Sequence, residues 1–194
     1  MKIKKFLIFF LLLLSFNIVN ASSFEKYNIS DSINLYEKIN LSSKNIVLYN
    51  LNDNEILFEN NGNDRVQIAS LTKIMTALVA IENIDDLDKK ITFTYNMFSG
   101  LEEYSKAGFK VFDEVTYREL LYGVILPSGA DAVNGIVLSL GTKDEFIDKM
   151  NKKAKSLGMN NTHFDNAIGM DSDDNYSTAN DLLILLKNAL NNKT

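Results

Sequence analysis

The chain has 194 residues, of which 46% are hydrophobic and 23% charged, a composition typical of one globular domain and not of a disordered or repetitive chain. Its 25 acidic residues outnumber its 20 basic ones, which argues against a nucleic-acid-binding protein. The absence of cysteine excludes disulfides, thiol catalysis and cysteine-ligated zinc.

The first 21 residues have the pattern of a signal peptide. Three lysines precede an apolar run from residue 6 to residue 16, and Val19-Asn20-Ala21 offers small residues before a cleavage site. The run is shorter than the ~18 residues that a membrane span needs, so a removed signal is favoured over an anchor. The alternative is an uncleaved signal that attaches the protein to the membrane. We predict an exported, extracytoplasmic protein whose mature chain, without those three lysines, carries a net charge of −8.

The segment after residue 21 is polar, with a short helix predicted around residues 33–39. Two strands follow, 46–49 and 56–58, and Asn52-Asp53-Asn54 between them tolerates turn conformations, which predicts a hairpin. The apolar run 74–81 then reads as a buried helix that opens with Ser70-Leu71-Thr72-Lys73.

Ser70 and Lys73 are predicted to lie at the first turn of this helix, on one face. A serine hydroxyl is a poor nucleophile until a base takes its proton, and a lysine is such a base when burial lowers its pKa. N–H groups at a helix N-terminus also stabilise an oxyanion, so the pattern favours acyl transfer. Ser23-Phe24-Glu25-Lys26 has the same spacing without a helix start, and the alternative for Ser70 is an ordinary N-cap serine followed by a surface lysine.

The rest of the chain is predicted to be mostly helical. Apolar segments around residues 90–94 and 109–111 flank a polar loop at 99–108. Four helices follow them, and they are recognised by their caps and apolar faces. They are a helix over 117–126 that is capped by Thr116 and Glu119 and stops at Pro127, one over 131–140, one capped by Thr142 and Glu145 and closed by Gly158, and one over 178–190.

A tight loop between two of these helices, Ser128-Gly129-Ala130-Asp131-Ala132, exposes a second serine. With the blocks 68–78, 163–171 and 176–182, this sequence resembles the serine D-Ala-D-Ala carboxypeptidases, which are low-molecular-weight penicillin-binding proteins of peptidase family S11. The resemblance runs from about residue 45 to residue 190. It implies an α+β fold of the β-lactamase/transpeptidase type, with helices packed on an antiparallel sheet.

The resemblance also implies a mechanism and its residues. Ser70 would attack the peptide carbonyl between two terminal D-alanines of a peptidoglycan stem peptide, giving an acyl-enzyme that water hydrolyses. Lys73 would accept the Ser70 proton, Ser128 would relay it to the leaving amine, and Gly129 and Ala130 would contact the substrate. β-Lactam antibiotics would bind at the same serine, and neither a cofactor nor a metal is implied.

The sequence departs from the family pattern at two places. Ala130 stands where the family usually has an asparagine. The third motif, Lys-Thr-Gly or Lys-Ser-Gly, is absent, because Lys193-Thr194 lacks the glycine and follows a helix directly. The strand that carries this motif binds the terminal carboxylate, supplies the second oxyanion N–H and belongs to the central sheet.

We therefore interpret residues 22–194 as the N-terminal part of a transpeptidase-like catalytic domain whose C-terminal sheet strands are missing. The chain would be a shortened enzyme, an interrupted gene product or one piece of a split protein. Its hairpin would keep an unpaired edge and an uncovered apolar face, and a C-terminal membrane anchor, frequent in the family, would be missing too.

Two other functions stay open. A serine β-lactamase of the same fold needs an acidic residue to activate the deacylating water, and an inactive fragment is favoured by the missing third motif. Other candidate sites are weaker. Asp171, Asp173 and Asn175 have the spacing of a calcium loop, but Tyr176 replaces the required glycine, so we predict a solvated turn. His163, the only histidine, is predicted to be a loop residue and not a metal ligand.

Overall fold

In this computed structural model, residues 41–192 are described. The predicted signal peptide, the short helix expected around residues 33–39 and the terminal Lys193-Thr194 lie outside the described residues.

Six short strands form three two-stranded antiparallel sheets in this part of the chain. The prediction of helices with antiparallel strands is confirmed, but the strands described here do not share one central sheet. The pairs are β1 (Ile46–Asn50) with β2 (Glu55–Asn60), β3 (Val66–Gln67) with β6 (Tyr176–Ser177), and β4 (Lys90–Thr92) with β5 (Glu114–Thr116).

The five helices predicted within the described residues are all present. Thr116 and Thr142 each accept a hydrogen bond from the backbone N–H three residues on, and the glutamate there bonds back, so both capping boxes form. These bonds to the two threonines lower the pKa of Glu119 and of Glu145. The helices are α1 (Thr72–Asn83), α2 (Tyr117–Ile125), α3 (Ala130–Leu140), α4 (Lys143–Leu157) and α5 (Ala179–Asn191).

One local prediction is wrong. Ser70 lies in a 3-10 turn, Ala69–Leu71, and α1 begins only at Thr72. Of the two apolar segments that flank the polar loop, 90–94 contributes β4, whereas 109–111 forms no strand and β4 pairs with β5. Phe109 turns inward instead, since its ring stacks on Phe93 with centroids 5.0 Å apart.

The core is built around α1, which packs against all four other helices. Its apolar run is buried on nearly every side, as the continuous apolar sequence predicts. Each fully buried Leu, Ile, Met or Phe side chain stabilises the fold by about 1.5–3 kcal/mol. Core side chains with no exposed surface include Met75, Phe93, Leu120, Ile136, Met150 and Leu185.

The predicted β1–β2 hairpin is confirmed, and α5 holds it to the helices. Lys187 Nζ on α5 donates to Tyr49 Oη at 2.6 Å and lies 4.4 Å from the centre of that ring. Leu48 and Ile56 of the hairpin remain 46% and 42% exposed, so apolar side chains here are not covered by the described residues. No helix between residues 41 and 192 combines the length and the apolar character that crossing a membrane requires.

Candidate active site

Ser70 and Lys73 meet as their spacing predicts. Lys73 Nζ lies 3.1 Å from Ser70 Oγ, which is hydrogen-bonding distance. The 3-10 turn leaves Ser70 exposed, whereas Lys73, one residue inside α1, is only 5% exposed. The Ser70 side chain makes no capping bond to α1, so the alternative of an ordinary N-cap serine with a surface lysine is wrong.

The Lys73 amine has a second partner and an unusual environment. It donates to the carbonyl oxygen of Ile168 at 2.6 Å, across 95 positions of the chain. Burial lowers the pKa of Lys73 below its ordinary value of 10.5, because the charged form loses hydration. A buried amine beside an exposed hydroxyl is the arrangement that lets the serine lose its proton as it attacks.

Ser128 joins these two residues at one cavity. Its Oγ is buried and has no hydrogen-bond partner among the described residues. The cavity has a volume of about 410 Å³ and opens beside Ser70. Its described lining is apolar apart from Ser70, Lys73 and Ser128, and comprises Ile68, Ala69, Leu71, Ile74, Val124 and Ile125.

Backbone strain marks two corners of the cavity. Ala69, directly before the nucleophile, has φ of 45°, and Ser128 has φ of 58°. Side-chain-bearing residues rarely adopt this left-handed conformation, which costs about 1–3 kcal/mol at each position and is concentrated at functional sites. Both of these residues line the cavity, together with Ser70.

The Ser128 turn is held from behind by Asp131. This fully buried carboxylate accepts backbone N–H bonds from Ala107 at 2.7 Å, Gly108 at 3.0 Å and Phe109 at 3.2 Å. The 107–109 segment consequently lies against Gly129, where an added β-carbon would meet Ala107 N at 2.7 Å. Asp131 and Gly129 thus fix the loop that carries Ser128.

The family model for D-alanyl-D-alanine carboxypeptidase, peptidase S11, matches residues 32–194. The chain belongs to this carboxypeptidase family.

Individual relatives agree with the family assignment. The chain is 36% identical over 153 residues to D-alanyl-D-alanine carboxypeptidase DacF of Bacillus subtilis, covering 76% of this chain and 39% of that protein. It is 37% identical over 148 residues to a D-alanyl-D-alanine carboxypeptidase of Streptomyces, covering 71% and 51% respectively. The chain therefore spans about two fifths to half of the length of these relatives.

Solved structures give the same answer for the fold. A Streptomyces DD-transpeptidase variant superposes with a TM-score of 0.76 at 34% identity, covering 79% of this chain and 63% of that one. A D-alanyl-D-alanine carboxypeptidase from Mycobacterium tuberculosis superposes with a TM-score of 0.72 at 31% identity, covering 78% and 57%. The predicted transpeptidase-like α+β fold is confirmed.

Within this carboxypeptidase-family fold, Gly129 and Ala130 do not line the cavity. Ala130 is only 1% exposed at the start of α3, and its N–H donates to Ser105 O at 2.8 Å. Their assignment as substrate contacts stays a prediction. Asn134, one helical turn further on, is also buried and donates to Met97 O at 3.0 Å, so its amide braces the loop before the site.

The sequence did not predict that Asn175 supports the site from a distant position in the chain. Asn175 is 1% exposed and donates to Thr72 Oγ1 at 3.1 Å, so the prediction of a solvated turn is wrong for this residue. His163 is an exposed loop residue, as predicted, and its backbone bridges to Tyr176. No local pattern signals the role of Asn175, because its partner lies 103 positions away.

Proposed function

We propose that this chain carries the acylating residues of a serine-type D-alanyl-D-alanine carboxypeptidase. Ser70 Oγ attacks the carbonyl carbon between the two terminal D-alanines of a peptidoglycan stem peptide, while Lys73 takes the hydroxyl proton. The peptide bond breaks, the leaving amine receives the proton through Ser128, and D-alanine departs. Water then hydrolyses the Ser70 ester.

The observation that carries this proposal is the 3.1 Å approach of Lys73 Nζ to Ser70 Oγ. A general base must lie within hydrogen-bond reach of the proton it takes, and its pKa should be close to the working pH. Burial moves the pKa of Lys73 in that direction. Among the described residues that line the cavity, no carboxylate competes for this role.

The second serine supports the relay step. Because Ser128 Oγ is buried without a described partner, its hydroxyl is available to a substrate atom that enters the cavity. A hydroxyl both donates and accepts, so it can pass a proton from Lys73 to a leaving amine without holding a charge itself.

The same chemistry applies to β-lactam antibiotics, whose strained amide carbonyl Ser70 would attack. Rapid release of the resulting ester needs a base for the deacylating water. The described cavity lining offers no acidic side chain for that purpose, which favours a long-lived penicilloyl adduct over a β-lactamase. We further propose that the protein acts in the cell envelope after export by the predicted signal peptide.

The sequence contains no Lys-[Ser/Thr]-Gly triplet, so neither the group that binds the substrate carboxylate nor the second oxyanion donor is identified in it. One missing oxyanion donor lowers the rate by about 10²–10³-fold. These 194 residues tested by themselves should therefore label slowly with β-lactams and bind peptides weakly.

A fluorescent penicillin tests the proposal. The purified chain should acquire covalent label that survives denaturing electrophoresis, and Ser70→Ala should abolish it. Ser23→Ala is the matched control, because Ser23 has the same three-residue spacing to a lysine, and it should leave labelling unchanged. Label that is released within seconds would favour a β-lactamase. Absence of label from a chain that circular dichroism shows to be folded would mean that it is inactive.

A further inference from the structure

A single side chain holds the turn from Asn166 to Met170. Asn166 Oδ1 accepts the backbone N–H of Gly169 at 2.7 Å and that of Met170 at 2.8 Å. Its Nδ2 donates to Met170 O at 3.0 Å. The side-chain amide thus replaces the backbone bonds that would otherwise define this turn.

Two polar side chains of α1 donate hydrogen bonds to backbone carbonyls of this turn. Ile168 O accepts from Lys73 Nζ at 2.6 Å, and the preceding carbonyl, Ala167 O, accepts from Thr76 Oγ1 at 2.7 Å. Lys73 and Thr76 are three positions apart and lie on one face of the helix. Two consecutive carbonyls therefore fix two neighbouring side chains of α1.

The Ile168 carbonyl restricts the Lys73 amine in a way that matters for proton transfer. A neutral amine has two N–H bonds and one lone pair, and rotation about its last carbon–nitrogen bond decides where the lone pair points. When one N–H is committed to Ile168 O, the remaining positions include the direction of Ser70 Oγ, 3.1 Å away. The carbonyl thus orients the base as well as binding it.

We propose that Asn166 is a positioning residue for Lys73: by folding the 166–170 turn, it holds the Ile168 carbonyl where it orients the Lys73 amine toward Ser70. The inference rests on the proposed function only in taking Lys73 as the base. Asn166 touches no reacting atom and acts through the backbone of its turn.

The surroundings of Lys73 make this positioning measurable. The described cavity wall beside the amine has no other acidic or basic side chain. The charged groups behind the turn, Asp165, Asp144 and Lys143, line a separate cavity with Asn166 and Ile168. The pKa of Lys73 is lowered by burial, so it reports directly on whether the turn stays closed over the amine.

Two variants of similar size test the proposal. Asn166→Leu removes every side-chain bond of the turn, whereas Asn166→Asp keeps an acceptor for the Gly169 and Met170 N–H groups. The pKa of Lys73 is read from the ¹³Cε signal of labelled lysine that is missing in Lys73→Met. In Asn166→Leu water should reach the amine, and the pKa should rise toward 10.5. Asn166→Asp loses the Nδ2 bonds to Met170 O and Asp165 Oδ1 but keeps both backbone N–H bonds, so the pKa of Lys73 should change less in it than in Asn166→Leu.

The acylation rate provides the second readout. A higher pKa of Lys73 leaves less neutral amine at pH 7, so penicillin labelling of Asn166→Leu should fall by about tenfold for each unit by which the measured pKa rises, and it should recover at higher pH. Asn166→Asp should retain most of the wild-type rate. If the wild-type chain takes no label, the proposed function fails while the lysine titration still decides the role of Asn166.

Asn151→Ala is the structural control. Asn151 also bridges backbone groups with its amide, accepting from Phe164 N at 2.9 Å and donating to Phe164 O at 2.7 Å, but it does not bond the 166–170 turn. It should lower stability without moving the pKa of Lys73. An equal pKa shift in Asn151→Ala, or an unchanged pKa in folded Asn166→Leu, would overturn the proposal. If Asn166→Leu does not fold, an Asn166→Asp variant with wild-type pKa and labelling supports it, and one with neither overturns it.

Discussion

Gly169 is the position where one added methyl group should do most damage to the site. Its φ is 76°, and a β-carbon built there would lie 2.1 Å from Ala69 O and 3.0 Å from Ser70 N. The left-handed conformation costs an alanine about 1–2 kcal/mol, and overpacking a tight contact adds about 1–3 kcal/mol. We therefore expect Gly169→Ala to lower the free energy of unfolding by about 2–5 kcal/mol.

Gly158 provides the matched control. It ends α4 with φ of 84°, and an added β-carbon would meet no heavy atom within 4 Å. Gly158→Ala should therefore lose only the conformational part, about 1–2 kcal/mol. The difference between the two variants isolates the overlap with the backbone before Ser70.

Urea unfolding followed by circular dichroism measures both variants, and penicillin labelling of the folded fraction measures the site. Gly169→Ala should label more slowly than wild type because the Ala69–Ser70 peptide must move, while Gly158→Ala should label normally. Equal destabilisation of the two variants, or normal labelling in Gly169→Ala, would refute the idea that close packing of Gly169 fixes the nucleophile.

Two further predictions concern buried polar groups. Asp131→Ala removes the acceptor of the Ala107, Gly108 and Phe109 N–H groups, so the free energy of unfolding measured in urea should fall by about 3 kcal/mol. Asp131→Asn should lower it less. A fall of under about 1 kcal/mol in Asp131→Ala would contradict this reasoning. The pKa of Lys73 is lowered on folding, so between that pKa and 10.5 the unfolded chain binds more protons than the folded one. The stability of the wild type relative to Lys73→Met should therefore rise with pH across this window. A pH-independent difference in urea midpoints would show that Lys73 is not desolvated.

The elements that sequence alone predicts are those governed by local periodicity. The five helices follow from apolar faces and caps such as Thr142 with Glu145, and the β1–β2 hairpin follows from two short apolar segments around Asn52-Asp53-Asn54. The Ser70–Lys73 contact belongs to the same class, because a separation of three residues brings two side chains to one face whether the serine sits in a 3-10 turn or in the helix.

What sequence did not predict depends on contacts between distant positions. The β3–β6 pair joins residues that are more than 100 positions apart, and both strands are two residues long, too short for a periodic signal. The Ile168 carbonyl that holds Lys73 is a backbone atom, so no residue type identifies it. The stacking of Phe109 on Phe93 joins residues 16 positions apart and likewise has no local signal.

Of the five non-glycine residues with positive φ in the described part of the chain, Ala69 and Ser128 are the two that line the cavity, which matters in any search for heat-resistant variants. Glycine at either position would relieve torsional strain, so a selection for melting temperature alone should favour glycine at both. At Ala69 the gain would come with a looser tether on the attacking oxygen, and at Ser128 it would delete the second hydroxyl. At these two positions, therefore, a substitution that raises the melting temperature is expected to lower the reactivity of the site.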